Sequence, residues 1–231
     1  MNFSVIVPFY NEEKNIQKLV DEIIHSIKDF KIFEIILIND ASFDNTLKII
    51  KLLEQKYPNF IRIINNSINI GQSFSLIKAI KSSKFDTIIT LDGDGQNNPS
   101  DIPKLLKEFE KDNIFLVGGL RIKRKDNYIK KFSSKIANNI RSFILNDDCK
   151  DTGCSLKVFS KKIFLNFPEF KGVHRFLPAL YKGYGYQTFF VEVDHRYRVF
   201  GKSKYGTLGR MIMGIIDLIR VYLIIKKIKY K

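Results

Sequence analysis

Asp92 and Asp94 lie one residue apart in T-L-D-G-D-G-Q-N-N-P, residues 90–99, directly after the apolar run Thr87-Ile88-Ile89. Two carboxylates at the end of a buried strand point oxygen ligands past the sheet edge. Hard divalent cations such as Mg²⁺ or Mn²⁺ take such ligands and share them with substrate phosphates. The same string also suits a solvated acidic turn, since Asp-Gly pairs favour turns. The elements around it have to decide.

Those elements alternate over the first 120 residues. Ser4–Pro8 reads as a short apolar strand broken by its proline, and Glu13–Phe30 carries apolar residues at helical spacing. A second strand over Phe33–Asn39 leads into Asp40, and Asp44 or Asn45 is placed to cap a helix reaching Tyr57. Ile61–Asn65 is a third strand, Ser73–Ser83 a helix, and Phe85–Leu91 a fourth strand delivering the two aspartates. Near-continuous Ile, Val and Leu strands, each followed by a helix, predict a mostly parallel α/β sheet with helices on both faces. Ligands bind such sheets beyond the carboxyl ends of the strands. Tyr10-Asn11-Glu12, Asn39-Asp40 and Asp92-Gly93-Asp94 all fall there, which favours the metal reading over the turn. No G-x-G-x-x-G follows the first strand and no G-K-[ST] loop occurs, against dinucleotide and P-loop chemistry.

Charge divides the chain. The net charge of +15 is carried by residues 121–231, with 25 Lys and Arg against 8 acids, whereas 1–120 has 14 against 16. A basic second half suits an anionic substrate or surface. Nucleic acid would also suit it, but that leaves the acidic strand ends without a purpose. Cys149 and Cys154 have no partners at zinc spacing and read as buried free thiols. A helix is expected over Tyr128–Leu145, part-helical structure over Ile163–Tyr184 and a strand over Thr188–Val193. Met1 runs into the first strand with no secretory leader, so a cytoplasmic enzyme domain is expected.

The strings V-I-V-P-F-Y-N-E, I-L-I-N-D-A-S-F-D-N-T and L-D-G-D-G-Q-N-N-P resemble, in order and spacing, the family-2 inverting glycosyltransferases. Among these the chain is most similar to polyprenyl-phosphate and dolichyl-phosphate sugar transferases, from Phe3 to about Tyr205. The resemblance implies a GT-A fold and a hexosyltransferase acting in cell-envelope glycan synthesis. A UDP- or GDP-linked sugar would be the donor, Mg²⁺ or Mn²⁺ the cofactor and polyprenyl phosphate the acceptor. It implies donor contacts from Pro8, Tyr10, Asn11, Glu12, Asp40 and Asp92, with Asp92, Asp94 and Gln96 around the metal. Arg198, Ser203 and Lys204, in R-V-F-G-K-S-K, match a loop that closes over the donor phosphates. Arg121, Lys130 and Ser134 match acceptor-phosphate positions. Lys130 replaces an arginine of the pattern and lacks its bidentate fork. Asp151 matches a position near the acceptor, where it could orient the substrate, act as a base or shape a turn.

Many relatives with hydroxyl acceptors carry an acidic base before a second-half helix, where this chain reads V-H-R-F-L-P from Val173. A hydroxyl needs a base during attack; a phosphate monoester, with a second pKa near 6, is already ionised. The missing acid therefore favours a lipid phosphate over a saccharide hydroxyl, the alternative acceptor. Residues 1–205 are taken as the catalytic domain, with 1–120 for donor and metal and 121–205 for acceptor. Residues 206–231 are taken as an amphipathic basic tail on the membrane surface. Arg210, Asp217, Arg220 and Lys227 group within about 100° on a helical wheel, against a spanning helix. The competing reading docks this helix on the enzyme or a partner. A separate membrane-anchor subunit or a homo-oligomer is the further partner expected.

Overall fold

The computed structural model describes residues 1–121, 139–198, 200 and 207–229. Seven strands form one sheet in the order β3-β2-β1-β4-β6-β5-β7. They are β1 (Phe3–Phe9), β2 (Phe33–Asp40), β3 (Ile61–Asn66), β4 (Thr87–Thr90), β5 (Ile114–Arg121), β6 (Lys157–Ser160) and β7 (Gln187–Val193). The helices are α1 (Ile16–Ile27), α2 (Thr46–Lys56), α3 (Gln72–Ser82), α4 (Ile102–Phe109), α5 (Lys161–Phe164), α6 (Leu177–Gly183) and α7 (Thr207–Lys229). The sheet is parallel except for β6, which runs against both β4 and β5. Two reversals restore the direction, so β5 and β7 point the same way as β1–β4. The carboxyl ends of six strands therefore share one rim.

Alternation along buried strands fills both faces. Phe3, Val5, Val7 and Phe9 of β1 meet α1, α2 and α4 on one side, and Ile6 and Ile36 meet α3, α6 and α7 on the other. Apolar burial on two faces is why these strands read as continuous apolar runs.

Pro8 does not end β1, which continues to Phe9 in register with Asn39. The β1–β4 ladder stops at Ile6 and Thr90, so the N–H that Pro8 lacks would have faced a strand already finished. Helix α4 and strands β5 and β6 are additions to the expected elements. The eight residues of α4 and the four of β6 give too little periodicity to announce them. The part-helical structure expected over Ile163–Tyr184 is two short helices with a 3₁₀ turn, Val173–Arg175, between their ranges. Of the expected Tyr128–Leu145 helix, residues 139–145 are helical and 122–138 lie outside the described residues. Both cysteines are buried and free, as expected.

Helix α7 is the expected C-terminal helix, with one of its charges turned inward. Asp217, fully buried, pairs with Arg175 at 2.8 Å and Arg220 at 3.1 Å, so part of the charged face turns toward the protein. Val221 and Ile225 are buried beside it. Ile215, Ile216, Ile219, Tyr222 and Leu223 are instead 43–57% exposed. At 100° per residue they span about 120° on the opposite side.

Candidate functional site

The rim carries a cavity of about 300 Å³ whose walls include Pro8, Tyr10, Glu12, Asp40, Asn69, Gly71, Gln72, Asp92, Asp94 and Arg198. Four strand ends and the chain after β7 thus meet in one place. Asn11 and Ala41, both in the left-handed region, turn the chain off β1 and β2. They are clasped together: Asn11 N–H donates to Ser42 Oγ at 3.0 Å and Phe43 N–H to Asn11 Oδ1 at 2.9 Å. Tyr10 packs edge-on to Phe43, giving this side of the cavity an aromatic wall.

Gly93 is the residue that permits the aspartate pair. A Cβ there would stand 2.4 Å from the Phe9 ring and 2.7 Å from the Pro8 carbonyl. The backbone can cross the end of β1 only without a side chain, and Asp92 and Asp94, before and after the crossing, both line the cavity.

Asp92 is gripped from several directions. Its N–H donates to Ser155 Oγ at 3.1 Å and Asn97 Oδ1 at 3.3 Å, while its Oδ1 accepts the Gln72 amide at 2.7 Å. Burial pushes its pKa up to about 6, and the neighbouring Asp94 charge adds to the rise against Ser155, Lys157 and Gln72. A carboxylate raised in this way gains from a cation beside it. Among the described residues, no group of three or more His, Cys, Asp and Glu could hold a metal ion alone. Two carboxylates with room for water and phosphate oxygens fit Mg²⁺ or Mn²⁺. Gln96 is not among the residues lining this cavity. Its amide donates to the Arg196 carbonyl at 3.3 Å, and its N–H to Asp94 Oδ1 at 3.1 Å.

Arg198 spans the cavity. It donates to Glu12 Oε1, and its Nη1 lies 3.5 Å from Asp94 Oδ2. Asp40 lines the cavity with its carboxylate taken up by the protein's own donors. Its oxygens accept the Ile70 N–H at 3.0 Å, the Gly71 N–H at 2.9 Å and the Asn66 amide at 3.0 Å. It pins the loop between β3 and α3 into the cavity wall.

Arg121 ends β5 on the same rim. Asp151 holds it as a fork, Nε at 2.6 Å and Nη2 at 2.7 Å, and also accepts its backbone N–H at 3.3 Å. Burial alone would lower the Arg121 pKa, but the hydrogen bonds and charge of Asp151 reverse this and raise it; Asp92 contributes in the same direction. Gly153 makes room, because a Cβ there would come within 2.7 Å of Arg121 Nη2. His195 Nε2 is 3.4 Å from Arg121 Nη1. Lys130, Ser134, Ser203 and Lys204 lie outside the described residues.

His174 occupies the stretch where the acid is missing. Its Nδ1 is 2.8 Å from Ser73 Oγ, which also accepts the Gly172 N–H at 2.7 Å. Burial lowers its pKa to about 3, helped by the charges of Arg175 and Lys157. The ring is neutral at ordinary pH. Gln72, Ser73, Ser155, Asn97 and His195 were not singled out by sequence. Four are uncharged residues of types common at any turn, and the nearest signal was Gly71 ahead of a helix.

This fold recurs in solved structures. Glucosyl-3-phosphoglycerate synthase from Mycobacterium tuberculosis, in complex with Mn²⁺, UDP and phosphoglyceric acid, superposes with a TM-score of 0.72 at 16% identity, covering 97% of this chain and 78% of that one. A mannosyltransferase from Pyrobaculum calidifontis, in complex with GDP-Man and Mn²⁺, gives 0.64 at 18% identity, over 94% and 64% of the two chains. Residues 4–167 match Glycosyl transferase family 2, and the chain belongs to that family. Its curated relatives include dodecaprenyl-phosphate galacturonate synthase of Rhizobium johnstonii, 32% identical over 96% of this chain. Undecaprenyl-phosphate 4-deoxy-4-formamido-L-arabinose transferase of Proteus mirabilis is 31% identical over 94%. This chain spans 66% of the length of each of these two relatives.

Proposed function

We propose that the chain transfers a hexose from a UDP- or GDP-linked donor to a polyprenyl phosphate, with inversion, at the cytosolic membrane face. The observation that carries this reading is the meeting of Asp92, Asp94, Glu12, Tyr10 and Arg198 in one rim cavity, with the Asp151-held Arg121 on the same rim. The names of the relatives, two polyprenyl-phosphate sugar transferases, supply the substrate class.

Tyr10 and Glu12 would flank the nucleoside, and Asp40 would shape its wall through Gly71. Asp92 and Asp94 would hold Mg²⁺ or Mn²⁺, which when bound offsets the charge gathering on the leaving diphosphate. Arg198 would exchange its carboxylate partners for diphosphate oxygens. The roles of Lys130, Ser134, Ser203, Lys204 and Gln96 rest on resemblance alone.

Arg121 would receive the acceptor phosphate. Asp151 already takes its fork, which favours an orienting role over that of a free base. Neutral His174 is tied to Ser73, and Arg175 to Asp217. This stretch thus offers no carboxylate to deprotonate a hydroxyl, which supports an acceptor that arrives ionised.

Among the described residues no helix is long and apolar enough to cross a membrane. The outward apolar stripe of α7, with exposed Lys226 and Lys227 at one end, suits an interface of acyl chains and anionic headgroups. A peripheral position would bring the lipid phosphate to the enzyme. The test is to incubate the protein with Mn²⁺, undecaprenyl phosphate and a panel of UDP- and GDP-sugars. A lipid-linked sugar is expected. Transfer only to soluble saccharides would replace this reading with the hydroxyl-acceptor one.

A further inference from the structure

We infer that Gln72 is a positioning residue for the Asp92 carboxylate, setting the plane in which that group meets a divalent cation. The inference rests on the metal-dependent reading above and adds a residue to it. Hydrogen bonds to Ser155 and Asn97 fix the backbone of Asp92, and the Ser155 hydroxyl also reaches its carboxylate. Gln72 Nε2, 2.7 Å from Oδ1, adds a short second hold from α3, and two holds from different elements define the plane of the group. A metal-bound carboxylate held in this way keeps its orientation, and such supporting groups tune affinity nearly as strongly as the ligands do.

A flexible glutamine can act so only if its own backbone is fixed. Gly71, the residue before it, donates its N–H to Asp40 Oδ2 at 2.9 Å. Ser73, the residue after it, is bonded to Gly172 N–H and to His174. Gln72 is thus clamped between the end of β2 and the turn before α6. The second clamp also gives His174 a structural purpose. The route from there continues outward, since the neighbouring Arg175 pairs with Asp217 of α7.

The test measures Mn²⁺ affinity without nucleotide, by calorimetry and by the Mn²⁺ electron paramagnetic resonance signal. The proteins are the unsubstituted chain, Gln72→Met, Gln72→Asn and Asp94→Ala. Met keeps the bulk and loses the donor; Asn withdraws the amide by one methylene. Both should weaken Mn²⁺ binding by about 10- to 100-fold, with thermal unfolding unchanged. Should the Met variant fail to fold, the Asn variant decides. Affinity within about twofold of the unsubstituted chain for the folded Gln72 variants, while Asp94→Ala abolishes binding, overturns the inference alone. Undiminished Mn²⁺ binding by Asp94→Ala overturns the metal assignment beneath it.

Discussion

Arg121 and Asp151 form a pair whose two members are 12% and 8% exposed in their side chains. Such a pair adds little stability over an apolar one, but removing one partner strands the other. Its value here is geometric. Asp151 takes Nε and Nη2, leaving the rest of the guanidinium beside His195. Substituting Arg121→Lys keeps the charge and loses the fork. It should raise the apparent KM for polyprenyl phosphate by about tenfold, roughly one charge-assisted hydrogen bond. Donor affinity, followed by nucleotide-sugar calorimetry, should be unchanged. An effect confined to the donor would move Arg121 out of the acceptor role.

His174 makes a prediction about stability rather than turnover. Its folded pKa, about 3, lies below the ordinary histidine value of 6.5. On acidification the unfolded chain therefore takes up this proton before the folded chain can. Stability from this residue is complete above about pH 6.5 and falls as pH drops toward 3, by at most about 1.4 kcal/mol per unit. Urea midpoints measured from pH 7 to 5 should decline, and His174→Gln should flatten part of that decline. An unchanged slope in the variant would show that the imidazole titrates freely in the fold.

At the scale of elements, α7 shows what a helical wheel omits. The wheel groups Asp217 with the arginines, but a helix apolar on most of its circumference does not announce which side turns inward. The decision lies with Arg175, far away in sequence, whose guanidinium gives Asp217 a buried partner. Strands β1–β4 were legible because burial on both faces leaves continuous apolar runs ending in polar clusters. Strand β6 was not, since its four residues begin with a buried lysine. Asp40 was legible as a rim residue, yet its bonding to Ile70 and Gly71 depends on a loop conformation that spacing does not encode. The exposed stripe carries its own test. Ile219→Glu with Leu223→Glu should reduce sedimentation with phosphatidylglycerol-containing vesicles by more than tenfold, from lost apolar burial and added repulsion. Lys226→Glu with Lys227→Glu should weaken binding mainly at low salt. Vesicle binding undisturbed by the first pair would assign the stripe to a protein partner.

The whole molecule gathers the Asp92 and Asp94 carboxylates and the Asp151-held Arg121 on one rim of a single sheet. This explains how a chain of net charge +15 can carry a site that would bind a cation. The positive charge is concentrated after residue 120, and the two aspartates arise before it. Family motifs made the first 120 residues readable because each string coincides with a strand end. The part after residue 120 was less readable, as Asp151, Gly153 and Ser155 lie on a connection whose course only the assembled sheet defines.

The reversed strand has a consequence for the order in which the molecule can assemble. β6 separates β4 from β5, although the chain makes it after both. The first four strands can pair as soon as they exist; β5 must wait for residues 157–160 before it has its neighbour on that side. During synthesis the strand end bearing Asp92 and Asp94 would therefore take shape ahead of Arg121. Val158→Ala, a cavity under the late strand, should slow recovery of the Arg121 side in refolding more than recovery of the β1–β2 region, measured by pulsed amide exchange. Equal delay in both regions would mean that the sheet closes in one step.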